Sequence, residues 1–149
     1  MNEDTFRVME LALQGYQCSQ ILMLMALEAQ GKENPDLVKS MSGLLGGMGC
    51  GKTCGALTAG CCVLALHAGK ESAEKNQDDR LQGMLSQFVE WFEAQYTARH
   101  GGINCAEIVQ DDMRNKMARC PTIVIESLDK LKEILAENSY EFSNPTRPA

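Results

Sequence analysis

The sequence predicts an all-α fold: a single-domain, compact but irregular helical bundle interrupted by one Gly-rich loop. Three observations predict it. Apolar residues recur at three- and four-residue spacing through most of the chain. Strand-like runs are nearly absent, Ile123-Val124-Ile125 being the one short candidate. The periodic segments are bounded by residues that start and stop helices. A length of 149 residues suits one domain with a real core. No repeat or linker divides it, so a helical domain is expected over 1–140 and a disordered tail over 141–149.

The elements follow in order. Asp4 to Leu13 reads as a short amphipathic helix ending near Gly15, with Phe6, Met9 and Leu13 on one side. From Cys18, the positions Ile21, Leu22, Met25, Ala26 and Ala29 make a second helical stripe, which Gly31 stops. Asn34-Pro35-Asp36 starts a third helix. Gly43 to Gly51 holds five glycines in nine residues and is expected to be a tight loop packed against other backbone. Thr53 is the expected N-cap of a helix from Cys54 to about Ala68, closed by Gly69. Its small residues Ala56, Ala59 and Gly60 allow neighbouring backbone to come close. A longer helix is expected from about Ala73 to Arg99, with Leu81, Leu85, Phe88, Phe92 and Tyr96 facing the core. Asn104 and Glu107 form a capping-box pair that puts Cys105 in the first turn of the next helix, where Ile108, Val109 and Met113 continue inward. Pro121 suits a first helical position, with Cys120 as its cap, and Val124, Leu128, Leu131 and Leu135 carry the final helix.

A net charge of −6 argues against nucleic acid or an anionic membrane as the main partner. No apolar run is long enough to cross a bilayer, and the start MNEDTFRVME lacks a signal-peptide pattern, so a cytoplasmic setting is expected. Gly46 to Thr53, GGMGCGKT, matches the phosphate-loop pattern letter for letter. That motif needs a buried strand before it, however, and LVKSMSGLL has helical spacing instead. Nucleotide binding is therefore not expected. His67 and His100 lack metal-ligand spacing, and the carboxylates lie on exposed helix faces.

The seven cysteines carry the functional signal. An odd count in a reducing compartment does not suit a disulfide framework. Cys61 and Cys62 lie inside an apolar helix and read as small hydrophobes. Cys18, Cys54, Cys105 and Cys120 each fall at a predicted helix start, where unpaired N–H groups and the helix dipole favour a thiolate. Lys52 adds positive charge between Cys50 and Cys54. No C-x-x-C occurs, which removes a thioredoxin-like motif. If the fold brings the four helix starts together, their sulfurs form one site.

YQCSQILM, GLLGGMGCGKTCGALTAG, RHGGINCAEIV and KMARCPTIVIESLDKL together resemble the C_GCAxxG_C_C family of redox-active proteins, over about Tyr16 to Glu137. Its four defining cysteines would map onto Cys18, Cys54, Cys105 and Cys120. One departure is visible: glycine is expected five residues after the central cysteine, where Ala59 stands with Gly60 next. The resemblance implies a redox role, with an iron–sulfur cluster for electron transfer or sensing on the four cysteines. Two other readings stay open. Cys54 could act as the nucleophile in thiol–disulfide exchange with Cys50 resolving, or the four thiolates could hold a structural zinc. The redox partner is unspecified, and homodimerisation is left open.

Overall fold

The computed structural model describes residues 2–144 and 146 of the chain. Among these residues it holds seven α-helices and no β-strand, only two isolated bridges. They are α1 (Glu3–Leu13), α2 (Cys18–Ala29), α3 (Pro35–Ser40), α4 (Gly55–Ala68), α5 (Leu81–His100), α6 (Cys105–Val109) and α7 (Met113–Glu137). The all-α expectation holds.

The centre is α4, packed against α2, α5 and α7. Its sequence GALTAGCCVLALHA is apolar over most of its surface, as a helix buried along most of its length requires. Gly60 is the point of closest approach. A Cβ added there would stand 2.3 Å from the ring of fully buried Phe88 on α5. Ala59, where the resemblance expects glycine, is itself fully buried with its methyl accommodated. Close approach therefore falls one residue later along α4. On α5 the expected stripe packs inward, with Leu81, Phe88, Phe92 and Tyr96 buried and Met84 joining them.

Several expectations are corrected. The inward face of α1 is Val8 and Leu11, whereas Phe6, Met9 and Leu13 are exposed. The two sets have equally good helical spacing, so periodicity alone does not choose between them. The long helix begins at Leu81, not Ala73. The stretch ESAEKNQDD has no apolar stripe to bury, and Asp78 ends it by accepting bonds from the Arg80 amide (2.9 Å) and the Tyr140 hydroxyl (2.6 Å). Thr53 does not cap α4; Cys54 is the N-cap residue and Thr53 is bridged to Asn104.

The largest difference is α7, which starts at Met113 and runs through Pro121 rather than beginning there. Asp112 caps it by accepting the Arg114 amide at 2.9 Å. Asn115 and Arg119 bond the last carbonyls of α6, Val109 and Ile108, at 3.1 and 2.9 Å. An internal proline costs about 3 kcal/mol through its missing amide and its ring. Burial of Ile123, Val124, Leu128, Leu131, Ile134 and Leu135 beyond it outweighs that, at roughly 1.5–3 kcal/mol each. Met113, expected to face inward, is exposed along with Met117.

The tail expected over 141–149 includes positions 145 and 147–149, which lie outside the described residues. Of the described part, Phe142 stacks on His67 with ring centroids 5.9 Å apart.

Gly60→Ala should destabilise the protein by ~1–3 kcal/mol in urea unfolding, the usual cost of overpacking a core. Adding Phe88→Leu should recover part of that loss, because it frees the space the new methyl needs.

Candidate functional site

Residues 52–54 and 103–105 lie side by side in the antiparallel bridge of Thr53 with Asn104. The Cys54 amide donates to the Ile103 carbonyl (2.9 Å) and the Cys105 amide to the Lys52 carbonyl (2.7 Å). The starts of α4 and α6 are thereby fastened together by their backbones. Asn104 and Glu107 form the expected capping box on α6, the Glu107 carboxylate accepting the Asn104 amide at 3.1 Å.

The glycine-rich loop lets the chain reach this bridge. Gly46, Gly47, Met48 and Gly49 follow one another at φ of 60–72°, a left-handed turn. It closes with the Lys52 amide on the Gly47 carbonyl at 3.2 Å. A Cβ on Gly47 would lie 2.3 Å from the Lys52 carbonyl oxygen, so a side chain there would open the turn. Met48 is the one non-glycine member, and a methionine in this region is strained.

Cys18 begins α2, and its sulfur lies over the first turn of α4. A Cβ added to Gly55 would stand 2.8 Å from Cys18 Sγ and 2.9 Å from the Leu44 carbonyl oxygen. Ser19, fully buried, anchors this end of α2 by donating to the Met41 carbonyl at 2.8 Å. Cys120 arrives from inside α7, not from a helix start as expected. Cys120 nevertheless comes within electrostatic reach of the other three thiols, and Cys18 within reach of Cys54 and Cys105. A charge on Cys18 raises the pKa of Cys54 and Cys120, and one on Cys105 raises that of Cys18 and Cys120. Cys120 acts on Cys54 in the same way. The other three cysteines are not among the charges that act on Cys18, Cys54 and Cys120 in this way. Cys61 is coupled to its neighbour Cys62, and Cys50 is exposed on the loop with its thiol 3.3 Å from the Gly47 carbonyl.

The expected low thiol pKa does not follow. Burial pushes the Cys54 thiol up to about 12, with Cys18 adding to the rise and the amides of Ala56 and Leu57 opposing it. Burial pushes Cys120 up to about 11 and raises Cys18 as well. Helix-start N–H groups do act on Cys18 and Cys54 in the expected direction, but desolvation is the larger effect. Among the described residues, no group of three or more His, Cys, Asp or Glu side chains is placed to hold a metal ion.

Two features at the site had no clear sequence signal. Lys116 is the cation that favours ionised Cys18 and Cys120. It stands four residues before Cys120, a spacing that marks one helix face only once 113–120 is known to be helical. Behind Cys54, fully buried Tyr96 donates its hydroxyl to Glu126 at 3.0 Å, and Arg99 pairs with the same carboxylate at 2.6 Å. Burial raises the Tyr96 pKa, and the Cys54 charge contributes to the rise.

A family model described as "Putative redox-active protein (C_GCAxxG_C_C)" matches residues 16–134, four-fifths of the chain. No curated protein and no solved structure matches it. None of the helices in the described residues is long and apolar enough to cross a membrane.

Raised thiol pKa values make stability fall with pH. Unfolded thiols ionise near pH ~8.5, while native Cys54 and Cys120 hold their protons to about 12 and about 11. Across that window the native state binds more protons, so stability is full below it and is lost as pH rises through it. Urea unfolding of reduced, metal-free protein should show a midpoint that drops from pH 8 to pH 10, and Cys54→Ala should flatten the slope. Alkylation at pH 7 should label exposed Cys50 first and Cys54 roughly a hundredfold more slowly.

Proposed function

Because the chain belongs to the C_GCAxxG_C_C family, we propose that it is a redox protein whose Cys18, Cys54, Cys105 and Cys120 hold an iron–sulfur cluster, used for electron transfer or redox sensing. The observation that carries this reading is geometric: backbone pairing joins the main chains of Cys54 and Cys105, and the Cys18 sulfur sits against Gly55 at the start of α4, with Cys120 in electrostatic reach of Cys18 and Cys105.

The donor set fits the group. Four cysteine thiolates are the usual ligands of [2Fe–2S] and [4Fe–4S] centres. A bound metal deprotonates a coordinating thiol outright, so a high pKa in the metal-free protein is no obstacle to ligation. Ligation requires the sulfurs to draw closer than they stand here, since no metal-holding group is formed as they are placed. When bound, the cluster would supply one-electron chemistry.

The surrounding residues have definable parts in this reading. Backbone pairing of 52–54 with 103–105 holds the Cys54 and Cys105 main chains in register. Gly55 leaves room for the Cys18 sulfur, and the amides of Ser19, Ala56 and Leu57 act on the sulfurs of Cys18 and Cys54 as hydrogen-bond donors that favour negative charge. Such donors raise the reduction potential of a cluster. Fully buried Tyr96 stands on the α5 side, near Cys54.

Thiol–disulfide exchange through Cys54 is less well supported. Cys54 is 7% exposed and its thiol is held protonated at neutral pH, whereas exchange needs an accessible thiolate. Structural zinc would use the same four sulfurs and differs in the metal that is recovered.

The test is anaerobic purification and reconstitution, with iron and sulfide analysis and visible spectroscopy. Brown protein with stoichiometric iron and acid-labile sulfide is expected, and Cys→Ser at any of positions 18, 54, 105 or 120 should remove most of the iron. The same changes at Cys61 or Cys62 should leave it bound. Colourless protein carrying one zinc, or no metal at all, would overturn the iron–sulfur reading.

A further inference from the structure

Past the end of α7 the chain folds back over the last turn of α4. Up to Tyr140 it is held by bonds that do not involve His67. The Tyr140 amide donates to the Leu135 carbonyl at 2.9 Å, its hydroxyl donates to Asp78, and Arg80 donates to the Asn138 carbonyl at 3.2 Å. Beyond Tyr140 the hold passes to His67. The Phe142 carbonyl oxygen lies 3.1 Å from His67 Nε2, and the Phe142 ring stacks on the imidazole. Among the described residues, no other donor reaches that carbonyl.

His67 is buried, and its Nδ1 faces the Val63 carbonyl at 3.0 Å, so both ring nitrogens point at carbonyl oxygens. A carbonyl oxygen only accepts, and a neutral imidazole carries one N–H. Either neutral tautomer therefore sets a ring lone pair against a carbonyl, and only a ring with protons on both nitrogens satisfies both. Gln30, the C-cap of α2, stands at the same nitrogen: its Nε2 is 3.1 Å from His67 Nε2, while its Oε1 is buried without a partner. A side-chain amide can present either end. Its NH₂ suits a bare ring nitrogen, and its oxygen, once turned round, suits an N–H. The charged groups around the ring are paired with one another. Tyr140, edge-on to the imidazole, is tied to Asp78, which Arg80 holds at 2.9 Å. Lys132 of α7 lies over the Phe142 ring and pairs with Asp4 of α1. Among the described residues, no carboxylate is within ion-pair distance of the imidazole.

We propose that His67 is a proton-operated latch for the end of the chain. The doubly protonated ring donates its Nε2 proton to the Phe142 carbonyl and holds residues 141–144 against α4. Loss of that proton to solvent hands Nε2 to the Gln30 amide and releases them. Holding requires the extra proton, so the held state lies on the acid side of the ring's titration and the released state on the alkaline side. Histidine is the side chain ordinarily able to change charge between pH 5 and 8. The 14 residues of α4 put this end ~20 Å from Cys54, and the latch stands whether or not the thiols bind a metal.

The test is NMR of the reduced full-length protein between pH 5 and pH 8, following the His67 ring nitrogens, the Phe142 ring protons and the ¹⁵N relaxation of residues 141–144. One shared midpoint is expected. On its alkaline side Nε2 loses its proton while Nδ1 keeps its own, Phe142 loses the ring-current shift of stacking, and 141–144 relax as a free tail while Tyr140 stays in place. His67→Phe keeps an aromatic partner but has no proton to give, so the Phe142 signals should no longer titrate. His100→Gln, at the one other histidine in the sequence, should leave the midpoint unchanged. Residues 141–144 that stay ordered through the His67 titration would overturn the latch, and this arm needs no variant to fold. Titration of Phe142 that persists in His67→Phe, or vanishes in folded His100→Gln, would overturn it as well.

Discussion

The pairing of residues 52–54 with 103–105 is two hydrogen bonds long, yet it fastens the starts of α4 and α6, and the cysteines they carry, to each other. The donors are the amides of Cys54 and Cys105 themselves, so the contact that closes the fold is made by the residues it positions. In an isolated helix the first amides would be left to water. Here each satisfies a carbonyl of the other segment, Ile103 or Lys52. The left-handed turn at Gly46–Gly49 lets the chain double back into this pairing, and Gly55 leaves the space into which α2 brings Cys18. Only Cys120 arrives independently, on α7 one residue before its internal Pro121.

The balance of forces on the thiols differs from what helix starts alone suggest. A helix N-terminus contributes up to ~2 kcal/mol in a partly buried setting, whereas desolvating a thiolate can shift its pKa by several units. Desolvation wins at Cys54, which is 7% exposed, and its thiol stays protonated at neutral pH. A buried, protonated thiol is quiet toward oxidants and disulfides.

Much of this architecture could be read from the sequence. The all-α class, the α5 core stripe, the Asn104–Glu107 capping box and the tight glycine loop all reflect local rules that tertiary structure left in force. The misreadings share a cause as well. Pro121 taken alone is a helix start, but burial of the six apolar side chains beyond it favours one continuous α7. On α1, two stripes fit the period and only packing against α2 and α7 selects Val8 and Leu11. Lys116 could not be linked to Cys120 while a helix boundary was placed between them, and the proximity of Tyr96 to Cys54 depends on how α5 crosses α4. Where the sequence misled, the deciding contact was distant along the chain.

Sulfur positions in a crystal of the reduced, metal-free protein, located by anomalous scattering, test the central claim most directly. The account predicts that the sulfurs of Cys18, Cys54, Cys105 and Cys120 form one compact group at the meeting point of α2, α4, α6 and α7, with those of Cys61 and Cys62 outside it. Four sulfurs dispersed among unrelated packing contacts would contradict it.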